Sequence, residues 1–155
     1  MNYQIALVQL PLVCEGVHER VRSPADAHRA CADLAGLAQE SFHVLSIDAK
    51  NGLINRHMVS LGLADSALIH PREVFRAAIM DDAKAVVLVH NHPSGDPTPS
   101  VEDVRLTRQL VEAGKIVGIG VMDHVIIGRP VEPTGDNPGR RGWLSMRESG
   151  LCSFE

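Results

Sequence analysis

The sequence predicts a mixed α/β domain in which helices pack on one central sheet. Three observations carry that reading. Ala85-Val86-Val87-Leu88-Val89 is an unbroken apolar run, the pattern of a strand buried on both faces. Asn51-Gly52 is a hairpin signal between two strand-like segments, because both residues tolerate positive φ. Three segments open on helix-starting residues, and two of them continue with apolar residues at spacings of three and four.

Taken in order, residues 3–9 read as a short first strand. Ser23-Pro24 opens a helix, with Ser as N-cap and Pro at the first helical position. Its apolar face is Ala27, Ala30, Cys31, Leu34 and Leu37. Phe42 to Asp48 and Leu53 to Leu61 are the two strands of the hairpin. Pro71 to Met80 is a second helix with Val74, Phe75, Ala78 and Ile79 inward. After the apolar strand comes a polar, Pro-rich loop. Ser100 opens a third helix running to about Ala113, with Gly114 where a C′ glycine belongs. Ile116 to Val121 and His124 to Gly128 read as two strands. Residues 129–142, rich in Pro and Gly, read as a long loop, and Trp143 to Arg147 as an edge strand.

A chain of 155 residues fits one domain. With 45% apolar and 22% charged residues it has the make-up of a soluble globular protein. A net charge of -4 argues against a broad nucleic-acid-binding face, and aromatic residues at 3% supply no base-stacking platform. Cys14, Cys31 and Cys152 are odd in number and far apart. They form neither a disulfide framework nor a thiolate zinc site, and they suit a reducing cytoplasm. The apolar N-terminal stretch lacks a basic leader and is broken by Gln9 and Pro11, so it reads as a strand and not a signal peptide. No apolar run approaches membrane-spanning length.

The chemistry concentrates in His90-Asn91-His92-Pro93-Ser94-Gly95-Asp96-Pro97-Thr98-Pro99-Ser100-Val101-Glu102-Asp103. Two histidines two apart on a strand point to the same side, with Cα atoms about 6.6 Å apart. Both imidazoles can then reach one ion. Asp103 falls in the first turn of the next helix and would complete a set of two histidines and one carboxylate once the loop brings that turn back over the strand end. Catalytic zinc usually takes three protein ligands and leaves a fourth position for water, whose pKa drops to about 7. Ser100-x-x-Asp103 also reads as a helix capping pair, and the two roles can coexist. The contiguous HNH string is not the signature of an HNH nuclease, whose named residues are dispersed.

H-x-H-P, six residues, then S-x-x-D resembles the JAMM (MPN+) metalloprotease motif, and HNHPSGDPTPSVED is similar to its RadC-like branch. Glu40-Ser41-Phe42, Ile47-Asp48, His70-Pro71-Arg72-Glu73, Asp123-His124-Val125-Ile126-Ile127-Gly128 and the stretch from Trp143 to Leu151 agree with that resemblance. It covers roughly residues 23–151, leaving 1–22 as an extension and 152–155 as a tail. It implies a cytidine-deaminase-like JAMM/MPN fold and a zinc-dependent hydrolase that cleaves an amide or isopeptide bond in a peptide or protein. His90, His92 and Asp103 would bind one zinc per chain. Glu40 would be the general base, and Ser100 would sit near the substrate carbonyl. The competing reading of Glu40 is a solvated residue ending a helix. Glu73, the other candidate acid, favours a helix N-terminus.

His124 lies in a family-like block and reads either as a supporting residue or as a half-buried strand position. His18, His28, His43 and His57 read as surface or strand positions, and His70 as a helix start. Arg140 and Arg141 read as an exposed pair. Two departures stand out. The 22 residues before the first helix are too few for the helix-hairpin-helix module usual in RadC-like proteins, which counts against direct DNA repair. The usual Gly-Thr after the second strand is Gly62-Leu63. The alternative of another class is a catalytically silent, DNA-associated or protein-binding accessory. Self-association and the identity of the substrate stay open.

Overall fold

The apolar run at 85–89 forms the middle strand of a five-stranded sheet. The computed structural model describes residues 19–62 and 69–154. The expected strand at 3–9, Cys14, His18 and Leu63 lie outside the described residues. The elements are α1 (Pro24–Ala30), a 3-10 turn (Ala32–Gly36), β1 (Ser41–Ile47), β2 (Leu53–Leu61), α2 (Pro71–Met80), β3 (Ala85–Asn91), α3 (Val101–Val117), β4 (Gly120–Ile127) and β5 (Trp143–Ser145). The sheet order is β2-β1-β3-β4-β5, in which β3 and β4 run parallel and every other pairing is antiparallel. A parallel pair needs a crossover, and α3 supplies it.

Period-two alternation sorts β3 between two cores. Val86 and Leu88 join Phe42, Val44, Phe75, Leu106 and Leu110 on the α2/α3 side. Val87 and Val89 join Ala27, Cys31, Leu34, Leu45 and Val125 on the α1 side. His90 therefore continues the row that faces α3. The buried stripe of α3 is Asp103, Leu106, Thr107, Leu110, Val111 and Gly114, spaced at three and four, so Asp103 opens the same stripe that seats the helix.

Most strand ends fall within two residues of expectation, and the larger departures are in α1, α3 and β4. The first helix stops at Ala30 and tightens into the 3-10 turn. The Ala30 carbonyl accepts 3.1 Å from Arg56 Nη1, and Asp33 takes the same guanidinium in a fork at 2.6 and 2.9 Å. A long-range partner thus claims the main chain where the apolar pattern continues. The third helix runs on to Val117 and ends at Gly118, whose φ of 80° is the left-handed cap conformation. Gly114 is instead a contact glycine: a Cβ there would lie 2.6 Å from the Ile119 carbonyl oxygen and 3.2 Å from Phe75. The two strands expected at 116–121 and 124–128 are one strand, β4. Its pairing with β3 steps from Val86↔Val121 to Val87↔Asp123, so Met122 is a bulge residue that interrupts the alternation without turning the chain.

Ser23 caps α1 as expected, with its side chain accepting from the Asp26 amide and Pro24 at the first position. Glu73 accepts from the His70 amide at 3.0 Å, which accounts for it as a helix-start residue. The segment 129–142 carries bridges Val131↔Arg140 and Thr134↔Asn137 and is a narrow ribbon more than a loop. Among the described residues no helix is long and apolar enough to cross a membrane.

Replacing Gly114 with Ala gains helix propensity but drives a methyl into main chain. The expected net effect is a loss of about 1–3 kcal/mol, read as a lower urea midpoint with unchanged slope.

Candidate metal centre

The end of β3 and the first turn of α3 bring His90, His92 and Asp103 together. Nε2 of His90 lies 3.0 Å from Nε2 of His92 and 3.3 Å from Oδ1 of Asp103, and Nε2 of His92 lies 3.4 Å from Oδ2 of Asp103. One donor atom from each residue falls within 4.8 Å of the others, so the group could hold a metal ion. Two imidazole nitrogens and one carboxylate oxygen turned on a single point form a donor set that suits zinc.

The charges are arranged unevenly. Burial pushes His90 down to about 4, against the attraction of Asp103. Burial also weighs on His92, but the hydrogen bond to Asp103 and the acids around it carry the ring above its ordinary value. Asp103 resists its own burial through the hydrogen bond to His92, the adjacent His90 ring and its bonds to Ser100, and is held far below the usual carboxylate range. Burial thus favours the neutral form of His90 and the bonds to Asp103 favour its ionised form, the forms that ligate, while the acids beside His92 favour its protonated form.

Each ligand candidate is held from behind. Nδ1 of His92 donates to the Asp96 carbonyl at 2.7 Å, which leaves Nε2 bare when the ring is neutral. That loop is braced in turn: Arg140 pairs with Asp96 at 3.0 Å and donates to the Gly95 carbonyl, and Arg129 donates to the Pro93 carbonyl. Arg140 is therefore a brace and not half of a solvated pair, while Arg141 lies over Trp143, 4.4 Å from the ring centre. Asp103 accepts at Oδ2 from the amide and the hydroxyl of Ser100, each at 2.7 Å, while the Ser100 oxygen accepts from the Asp103 amide. Capping and site are one arrangement. The single hydrogen of the Ser100 hydroxyl is directed at Asp103.

Glu40 is not the end of a helix. It precedes β1, half-buried, with Oε1 4.0 Å from Nε2 of His90. Burial raises its pKa and the charge of Asp103 adds to the rise, with His92 opposing. Asn91, between the two histidines, clamps its main chain on both sides. Its Oδ1 accepts from the Ser41 amide at 2.8 Å, and its Nδ2 donates to the Gln39 carbonyl at 3.1 Å.

Asn91 and Thr107 carry no site signal of their own in the sequence, and His124 is more deeply set than its strand position suggests. His124 is fully buried, not half-buried. Its Nε2 lies 2.8 Å from Nδ1 of His90 and its Nδ1 lies 2.6 Å from the Thr107 hydroxyl. Thr107 follows Asp103 by four residues, so helical spacing alone puts both on one face. His43 and His57 are strand positions as expected. Buried His43 bonds Ser41 and Arg56, and His57 pairs with Asp81.

The RadC-like JAB domain family matches residues 21–151. A UPF0758 protein of Caldanaerobacter subterraneus subsp. tengcongensis is 44% identical over 148 residues, which is 95% of this chain and 59% of the relative. A UPF0758 protein of Thermotoga maritima is 40% identical over 136 residues, 88% and 56% of the two chains. One of Symbiobacterium thermophilum is 48% identical over 120 residues, 77% and 47%. The chain spans about half the length of these curated relatives.

The buried histidines set an acid limit on the fold. Burial holds His43 and His90 at about 4 and His124 well below its ordinary value. All three take up protons on unfolding at any pH between about 4 and 6.5, the ordinary histidine value, so stability falls as pH drops through that window. His92, raised, contributes stability that is complete below about 6.5 and is lost only as pH rises above that value, so it does not offset the three in this window. Protein stripped of metal should therefore melt at progressively lower temperature from pH 6.5 to 4.5, and His43→Gln should flatten the slope. A level profile in both proteins would show that these rings are already charged in the fold.

Proposed function

The chain belongs to the RadC-like JAB domain family, and on that premise we propose that it is a zinc-dependent hydrolase that cleaves an amide or isopeptide bond in a peptide or protein substrate. The observation that carries the proposal is the convergence of donor atoms from His90, His92 and Asp103 within 4.8 Å of one another. These three residues would hold one zinc, the ligand count of a catalytic site. A zinc ion held there supplies a Lewis acid and brings water towards ionisation near neutral pH.

The chain's own residues supply the rest. Glu40, with a carboxyl raised by burial, is placed to take a proton from the attacking water and to return it to the departing nitrogen. Its reach towards the site is fixed by the Asn91 clamp and not by its own flexible side chain alone. Ser100 keeps Asp103 aimed, and a second role beside a substrate carbonyl requires its hydroxyl to turn away from that bond. Arg129 and Arg140 hold the loop that orients His92.

Protein purified without chelator should carry close to one zinc per chain by elemental analysis, and His92→Ala should lose it. Fewer than about 0.2 zinc per chain in the parent would defeat the metal reading. Glu40→Gln should keep the metal and lose about 10²–10⁴-fold of hydrolysis, scored on isopeptide-linked and peptide substrates. Full activity in that variant would remove Glu40 as the base.

A further inference from the structure

We propose that Thr107 and His124 are positioning residues that fix which nitrogen of His90 carries the proton, and thereby keep its Nε2 lone pair turned on the candidate metal site. The inference rests on the metal reading above for its purpose, but the proton order itself follows from hydrogen-bond counting.

The count starts at Thr107. Its hydroxyl has one hydrogen, and it donates 2.6 Å to the Asp103 carbonyl oxygen, with the Met146 sulfur as a second acceptor at 3.4 Å. Towards His124 the hydroxyl then offers only lone pairs, so Nδ1 of His124 must be the donor across their 2.6 Å contact. A neutral imidazole has one N–H, so Nε2 of His124 is bare. Across the 2.8 Å contact that bare nitrogen accepts from Nδ1 of His90. His90 has then spent its one N–H on the far side of the ring, and its Nε2 faces Asp103 and His92 as a lone pair. Were the chain to run the other way, His90 would present a hydrogen to the site and could not ligate.

The opposing pull comes from the site side, where Nε2 of His90 faces Oδ1 of Asp103 at 3.3 Å and Nε2 of His92 at 3.0 Å, and solvent does not reach the chain of bonds behind it. His90, Thr107 and His124 are each 0% exposed. Phe42 closes the rings off, stacked on His90 at 5.9 Å and edge-on to His124 at 5.4 Å. The chain starts at the main-chain carbonyl of Asp103, whose carboxylate is itself a ligand candidate. One residue of α3 therefore sets both a ligand and the tautomer of its neighbour.

The test reads the tautomer directly, by ¹⁵N NMR of the histidine rings in metal-free protein. The expected result is His90 protonated at Nδ1 and His124 protonated at Nδ1. His90 protonated at Nε2 overturns the proposal without any variant. Thr107→Val keeps the side-chain shape and removes the acceptor. It should mix the His90 tautomers and weaken zinc binding by about 10–100-fold in a chelator competition, and Thr107→Ser should restore both. A merely structural role predicts a lower melting temperature of the metal-free protein with tautomer and zinc affinity unchanged, which also overturns it. The two readings separate cleanly. A parent that shows the Nδ1–H tautomer yet binds no zinc sinks the metal reading and leaves the proton order standing. A parent that binds zinc as tightly as Thr107→Val sinks this inference alone.

Discussion

The seating of α3 on β3 and β4 is the constraint on which the site depends. At one end Gly114 lets the helix approach the Ile119 carbonyl so closely that a methyl group would collide with it. In the middle Leu106, Leu110 and Val111 fill the core shared with Val86 and Leu88. At the other end the same stripe turns polar, with Thr107 and Asp103 buried. A buried carboxylate costs several kcal/mol unless its partners are supplied. Here the serine cap and two histidines supply them, so the packing that makes the helix stable also dictates what must surround Asp103. The site is the polar end of an otherwise apolar interface.

How much of this was legible in the sequence follows from how local each cause is. The β3 run, the shared face of His90 and His92, and the Ser100–Asp103 pair are all settled within a few residues, and all were readable. The end of α1 was not, because Arg56 takes the Ala30 carbonyl from a different element. The end of α3 was ambiguous because two glycines stand four apart; Gly114 has the role of close contact and Gly118 that of the left-handed turn. The gap seen between Val121 and His124 is a real break in periodicity, but a bulge produces the same break as a chain reversal. Register is the property least visible in a single chain. His124 reaches His90 only through the β3–β4 pairing and its shift at Met122, and no spacing in the sequence encodes that.

Glu40 shows the same limit from the other direction. Read locally, Gln39-Glu40 could end a helix. What makes it part of the site is Asn91, some 50 residues away in sequence, which bonds the peptide groups on either side of it. Asn91 sits between the two histidines of the motif, and strand alternation sends its side chain to the opposite side from theirs. That alternation is useful: the histidines face Asp103 while the residue between them ties in the segment that carries Glu40.

These supports differ in rigidity, and the difference bears on how the site works. His90 lies inside a strand and Asp103 inside a helix turn whose cap is worth roughly 1 kcal/mol by itself. Both are set by regular structure and held before any ligand arrives, which is what a precise site requires. His92 alone follows the end of its strand, into a loop kept in place by two arginines. It is also the partly exposed member, and the one whose protonated form its acidic neighbours favour. The loop braced by Arg129 and Arg140 is therefore the part of the arrangement that can shift without disturbing the core.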